Sequence, residues 1–154
     1  MPQAITTGYE ALLENARKEI VEIPAAEAIG MVSDPNVVIV DVRDPRELTL
    51  EGHIPGALHA PRGMLEFWID PASPYFRPVF GEDKRFVFHC AAGWRSALAA
   101  QTAQRMGLKP VAHIAGGLKA WKEAGGPVEM PEPRPPAQVA CHRAIARPIP
   151  PESR

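Results

Sequence analysis

Cysteine is scarce in this chain: Cys90 and Cys141 are the two among 154 residues. Two thiols do not make the disulfide framework of a small secreted scaffold, so both are read as free. Long hydrophobic runs are missing as well, and the amino end, with Gln3, Thr6, Thr7 and Glu10, lacks a charged start followed by an apolar segment. The expectation is a chain without a membrane span and a cytoplasmic location. Excess charge of one sign is also absent, since the formal net charge is -1 with the signs interspersed. That excludes the basic stripe that nucleic acid or an anionic membrane surface requires.

Proline, by contrast, is abundant, with 18 residues. Many fall in PVEMPEPRPP from Pro127 onward and again at Pro148, Pro150 and Pro151. A residue with fixed φ and no N–H donor forms neither a helix interior nor a central strand, so residues 127–154 are read as an extended or disordered tail. Upstream, the runs Val37–Val40, Phe86–Phe88 and Val111–Ile114 are almost continuously apolar, the pattern of strands covered on both faces of a parallel sheet. Helices are expected at Tyr9–Glu19, Pro24–Met31, Gly63–Ile69, Arg95–Met106 and Leu118–Glu123. In the fourth, Leu98, Thr102 and Met106 recur at helical spacing and Gly107 provides the stop. Alternating strands and helices make an α/β layered domain. Most of the rings of residues 61–82 (Phe67, Trp68, Tyr75, Phe76, Phe80) are assigned to packing beneath a long connection, with the walling of a pocket as the alternative for some of them.

The informative joint is RFVFHCAAGWRS, residues 85–96, where a strand ends at a cysteine and a helix follows. In open parallel sheets, ligands bind beyond the carboxyl ends of strands. Ala91, Ala92, Gly93 and Trp94 make a short loop of small residues able to turn its N–H groups inward as an anion cradle. The helix dipole and Arg95 favour the thiolate of Cys90, the nucleophilic form. A cysteine that merely fills a core needs neither the glycine loop nor the arginine. Such a nucleophile suits phosphoryl transfer or sulfur transfer. The spacing Cys-x-x-Gly-x-Arg is one residue shorter than the Cys-x5-Arg loop of phosphatases, which favours a single outer sulfur over a tetrahedral phosphate.

These residues, together with Asp41-Val42-Arg43, the stretch EGHIPGA from Glu51 to Ala57, and Gly116-Gly117 followed by Trp121, resemble the ordered motifs of single-domain rhodaneses. The resemblance covers residues 20–126, leaving an N-terminal helix over residues 1–20 and the tail outside. It implies a rhodanese-like three-layer domain with a central parallel five-stranded sheet flanked by helices. It also implies a sulfurtransferase in which Cys90 takes a sulfane sulfur from thiosulfate or a persulfide and passes it to cyanide, a small thiol or a protein acceptor. No metal and no organic cofactor are called for, and the N–H groups of Ala92, Gly93, Trp94 and Arg95 are expected around the outer sulfur.

Other residues take supporting parts. Arg95 has two roles open to it, contacting the incoming anion or pairing with a carboxylate such as Asp41. Asp41 and Arg43 are read as architectural, Arg43 as a partner for Glu47 or Glu51. His53 is expected to organise the turn after Gly52, and His89 to be a satisfied buried imidazole facing away from Phe88. Trp94 is expected at the lip of the pocket, and Ser96 to cap the helix through its hydroxyl. Cys141-His142 is too small a set for a zinc site. Ala91 and Ala92 stand where basic residues would attract a dianion, which leaves that task to Arg95 and the helix dipole, with Arg43, Arg62 or Lys84 as further candidates. Two further readings are a non-enzymatic binding or sulfur-sensing module that uses the Pro-rich tail to dock, and a small cysteine-dependent phosphatase or arsenate reductase.

Overall fold

A computed structural model of the protein describes residues 2–131, so Cys141 and the Pro-rich stretch from residue 132 lie outside the described residues. In chain order the elements are α1 (Tyr9–Glu19), β1 (Val21–Ile23), α2 (Ala25–Ile29), β2 (Val37–Asp41), α3 (Pro45–Glu51), β3 (Leu58–His59), α4 (Leu65–Ile69), β4 (Arg85–His89), α5 (Trp94–Arg105), β5 (Val111–Ile114) and α6 (Gly117–Glu123). The three apolar runs become β2, β4 and β5, the interior of a five-stranded sheet in the order β1-β5-β4-β2-β3. Every pairing is parallel, with Val40 beside Phe88 and Phe88 beside His113.

Alternation along the strands divides the core in two. Val40, Phe86, Phe88, Val111 and Cys90 pack with Leu13 and Ala16 of α1, Leu65 and Ile69 of α4, and the alanines of α5. On the other face Ile39, Val87, Ala112 and Ile114 meet Ala25 and Ala28 of α2 and Leu118 and Trp121 of α6. The three-layer α/β architecture is therefore as expected. Ala97, Ala100 and Ala103 are fully buried, so small side chains let α5 lie close against the sheet.

Several local readings need adjustment. Helix α3 was absent from the expected set, although Asp44 accepts the Arg46 N–H, Pro45 starts the helix and Glu47 closes a capping box. Helix α1, outside the span of the resemblance, contributes Leu13 and Ala16 to the core. The first residues of the Pro-rich segment also engage the domain: Trp121 Nε1–H donates to the Pro127 carbonyl at 2.9 Å, and His53 and Glu129 exchange backbone hydrogen bonds of 2.8 Å. Of the rings in residues 61–82, Phe80 is buried and Trp68 and Phe76 pack at the edge of the core, but Phe67 and Tyr75 are exposed.

Candidate active site

Strand β4 is buried from Phe86 to His89, and it delivers Cys90, 1% exposed, to its carboxyl end. The chain must then reverse into α5 within three residues. Gly93 makes this possible by adopting φ +94° as the N-cap of α5, a left-handed conformation that favours glycine. Its N–H then points back at the sulfur: Gly93 N donates to Cys90 Sγ at 3.2 Å and Ser96 N at 3.4 Å. Two N–H groups at the start of a helix thus converge on one sulfur atom.

The loop is held from below by the start of α6. Leu118 N–H donates to the Cys90 carbonyl at 2.8 Å and Lys119 N–H to the Ala91 carbonyl at 3.1 Å. This approach demands glycine at 117, where a Cβ would lie 2.5 Å from the Cys90 carbonyl oxygen and φ is +60°. Ala92 and Trp94 are exposed, and Trp94 stacks obliquely on Tyr9 of α1 with ring centroids 5.1 Å apart. A cavity of about 370 Å³ adjoins Ala91, walled by Arg43, Glu47, Leu118, Lys119 and Lys122 among others.

The charged pairs differ from those expected. Arg43, fully buried, pairs with Asp41 through Nε and Nη2 and donates to the Gly52 carbonyl at 2.8 Å, so its partner is neither Glu47 nor Glu51. Glu47 instead takes both Nη groups of Arg95, at 2.6 and 2.9 Å, and Asp41 is not the partner of Arg95. The reason is placement: α3 carries Glu47 to the loop side, while Asp41 ends β2 beneath it, where Arg43 folds back over it. The Arg95 guanidinium holds the Glu47 carboxyl below the usual range, against the opposing effect of partial burial. Burial works to raise the Asp41 carboxyl, but the hydrogen bonds and charge of Arg43, with His89 nearby, bring it below its ordinary value. Arg62 and Lys84 also face carboxylates, those of Glu66 at 3.7 Å and Glu82 at 2.9 Å.

Ser96 does not cap α5, because the helix begins at Trp94 with Gly93 as cap and no side-chain cap bond. Its buried hydroxyl lies 3.6 Å from Cys90 Sγ and 3.0 Å from His113 Nδ1 instead. His89 faces away from Phe88 and is buried, but it is only half satisfied: Nδ1 lies 3.3 Å from the Cys90 carbonyl, whereas Nε2 has no hydrogen-bond partner and sits 3.6 Å from Asp41 Oδ2. His53 Nδ1 contacts the Ile54 carbonyl at 3.3 Å within the turn. Among the described residues no group of three or more His, Cys, Asp or Glu is arranged to hold a metal, and no helix is long and apolar enough to cross a membrane.

Comparison with known proteins places this geometry in a family. The model of the rhodanese-like domain matches residues 24–124, well over half of the chain. The chain belongs to the rhodanese-like domain family. Thiosulfate:glutathione sulfurtransferase of Saccharomyces cerevisiae is 34% identical over 100 residues, covering 60% of this chain and 70% of that protein. Thiosulfate sulfurtransferase/rhodanese-like domain-containing protein 3 of Mus musculus is 30% identical, covering 62% of this chain and 64% of the relative, so the chain spans less than two thirds of that protein. A solved structure from Rhodopseudomonas palustris, described as a protein of unknown function and possible tyrosine phosphatase, is 60% identical, covers 84% of this chain and 99% of its own, and superposes with a TM-score of 0.82.

Within this rhodanese-like domain the residue that sequence reasoning passed over is His113. It stands in an apolar strand, VAHI, whose pattern reads as core, although a histidine in the middle of a buried strand is the signal that a polar partner lies beside it.

Proposed function

We propose that the protein is a sulfurtransferase working through a Cys90 persulfide. The observation that carries the reading is the sulfur of Cys90 at the floor of a short loop, receiving the N–H groups of Gly93 and Ser96. In the first displacement the Cys90 thiolate attacks the outer sulfur of a donor. The sulfur–sulfur bond of the donor breaks, its electron pair leaves with sulfite or a thiolate, and Cys90 becomes a persulfide bearing the negative charge. In the second, cyanide or an acceptor thiolate attacks the outer sulfur and Cys90 departs as thiolate. Splitting the transfer in this way spares the enzyme a complex of both substrates. The N–H groups of the loop, including those of Ala92, Trp94 and Arg95, stabilise the charge on the sulfur, and donors to a charged group contribute roughly 1.5–3 kcal/mol each.

Ala91 and Ala92 bring no charge to the rim, and Arg95, Arg43, Arg62 and Lys84 each face a carboxylate. Among the described residues the cation beside the loop that faces no carboxylate is Lys119, on the cavity wall next to Ala91, and a single exposed charge suits a monoanionic persulfide better than the thiosulfate dianion. The cavity beside Ala91, with Lys119 and Lys122 on its wall, provides room for a small acceptor thiol carrying a carboxylate.

A phosphatase reading draws on the description of the 60% identical structure. It is the weaker one, since four residues separate Cys90 from Arg95 and that arginine is bound bidentately by Glu47. Steady-state kinetics on a panel of donors, acceptors and an aryl phosphate separates the two. Ping-pong sulfur transfer, higher kcat/KM with a persulfide than with thiosulfate, and no activity in Cys90→Ser are expected. Cys90-dependent hydrolysis of the aryl phosphate without sulfur transfer would replace this reading with the other.

A further inference from the structure

A buried thiol must lose its proton before it can attack, and Cys90 is closed to water at 1% exposure. A continuous line of polar groups runs from its sulfur to the sheet edge. Ser96, fully buried on the first turn of α5, places Oγ 3.6 Å from Cys90 Sγ and 3.0 Å from Nδ1 of His113, itself 1% exposed. His113 Nε2 lies 3.3 Å from Glu22 Oε1, an electrostatic contact not aligned as a hydrogen bond, and Glu22 on edge strand β1 is partly exposed. Arg17 of α1 reaches the same Oε1 at 3.3 Å. The register explains the line: Glu22 and Phe88 flank His113 on neighbouring strands, so all three side chains occupy the face that carries Cys90 and α5.

The donors run in one direction. A carboxylate facing Nε2 keeps the proton of a neutral imidazole there and leaves the Nδ1 lone pair for the Ser96 hydroxyl. The oxygen of Ser96 in turn faces the Cys90 thiol. Burial, the largest influence, pushes the His113 pKa down, Glu22 opposes it and Arg17 adds to it, so the ring is neutral and able to accept at neutral pH. His89, Asp41 and Arg43 form a separate group around the opposite face of β4. A hydroxyl required only for helix capping would not be here, since the cap is Gly93.

We propose that Ser96 and His113 form a proton relay that converts the Cys90 thiol to thiolate, with His113 acting through Ser96 as a positioning residue and Glu22 fixing its tautomer. The S–H bond breaks and its electron pair stays on sulfur. The proton passes to Ser96 Oγ as the hydroxyl proton moves to His113 Nδ1, leaving a thiolate and an imidazolium facing Glu22, with no change in net charge. The proposal rests on Cys90 being the nucleophile of the sulfurtransferase, but thiolate formation can be followed without any sulfur donor.

The test is a pH titration of thiolate ultraviolet absorbance in the full chain carrying Cys141→Ser, with the further Cys90→Ser variant as blank. Ser96→Ala and His113→Asn are each expected to move the midpoint upward by about one unit, a tenfold loss of thiolate at a given pH below it. Their double variant is expected to move it no further, because the two act as one unit. Glu22→Gln, at the exposed end where folding is least at risk, is expected to shift it upward by less. Near-ultraviolet circular dichroism checks the fold. An unchanged midpoint in correctly folded His113→Asn, or additive shifts in the double variant, would overturn the relay; if His113→Asn does not fold, an unchanged midpoint in Glu22→Gln overturns it. Failure of the parent protein to accept sulfur would count against the transferase reading alone.

Discussion

Replacing Asp41 with asparagine isolates the buried charge beneath the loop. In the native protein the Arg43 guanidinium, fully buried, is neutralised by Asp41 through contacts of 2.9 and 2.7 Å, and its Nη1 has no hydrogen-bond partner. Asp41→Asn keeps the shape and removes the countercharge, leaving a buried cation beside the neutral imidazole of His89. Breaking a buried pair from one side costs about 3–5 kcal/mol. For a domain of this size that lowers Tm by about 6–20 °C. The magnitude follows from leaving Arg43 uncompensated, so Arg43→Met with Asp41→Leu should recover most of the loss. Urea unfolding at pH 7 followed by tryptophan fluorescence measures both. A cost below about 1 kcal/mol for Asp41→Asn would refute the reasoning, since it would mean that water or another group already screens Arg43.

Other perturbations probe separate parts of the structure. Stability should fall on acidification from neutrality: burial lowers the pKa of His89, against the pull of Asp41, and that of His113, against the pull of Glu22. The unfolded chain therefore binds protons below about pH 6.5 that the folded one refuses, a loss of up to about 1.4 kcal/mol per pH unit for each ring. The depressed Asp41 carboxyl adds a further loss below about pH 4, and a denaturation midpoint constant between neutrality and pH 5 would contradict the assignment. Gly117→Ala should both strain a φ of +60° and drive a methyl into the Cys90 carbonyl, so a loss of about 2–4 kcal/mol and a collapse of sulfur transfer are expected; native-like turnover in that variant would show that the loop is not held as described. Glu47→Gln keeps the capping box of α3 but frees Arg95, and should lower the KM for thiosulfate by a few-fold, whereas an unchanged or higher KM would show that Arg95 does not face the donor.

The parts of this molecule legible in its sequence are those governed by local periodicity. The apolar runs of β2, β4 and β5 and the cysteine loop before α5 depend on near neighbours, and they appear close to where the pattern places them. Helix α3 was equally legible, since Asp44-Pro45-Arg46-Glu47 is a capping box with proline at the first turn, but its brevity and lack of buried residues hide it from a search for apolar stripes. Partner choice among charged residues is different in kind. Whether Arg43 or Arg95 takes Glu47 depends on where α3 and the loop meet in space, and no spacing in the chain encodes that. Ser96 and His113 illustrate the same limit: each has an ordinary explanation on its own element, and only the meeting of α5 with β5 shows the hydroxyl between a sulfur and an imidazole.

The central claim is that Cys90 carries sulfur as a persulfide, and intact-mass spectrometry tests it most directly. After incubation with thiosulfate or a persulfide and removal of excess donor, the protein is expected to gain the mass of one sulfur atom, to lose it on addition of cyanide with release of thiocyanate, and to show no gain in Cys90→Ser. Absence of the adduct with every sulfane donor, or an adduct that survives in Cys90→Ser, would contradict it.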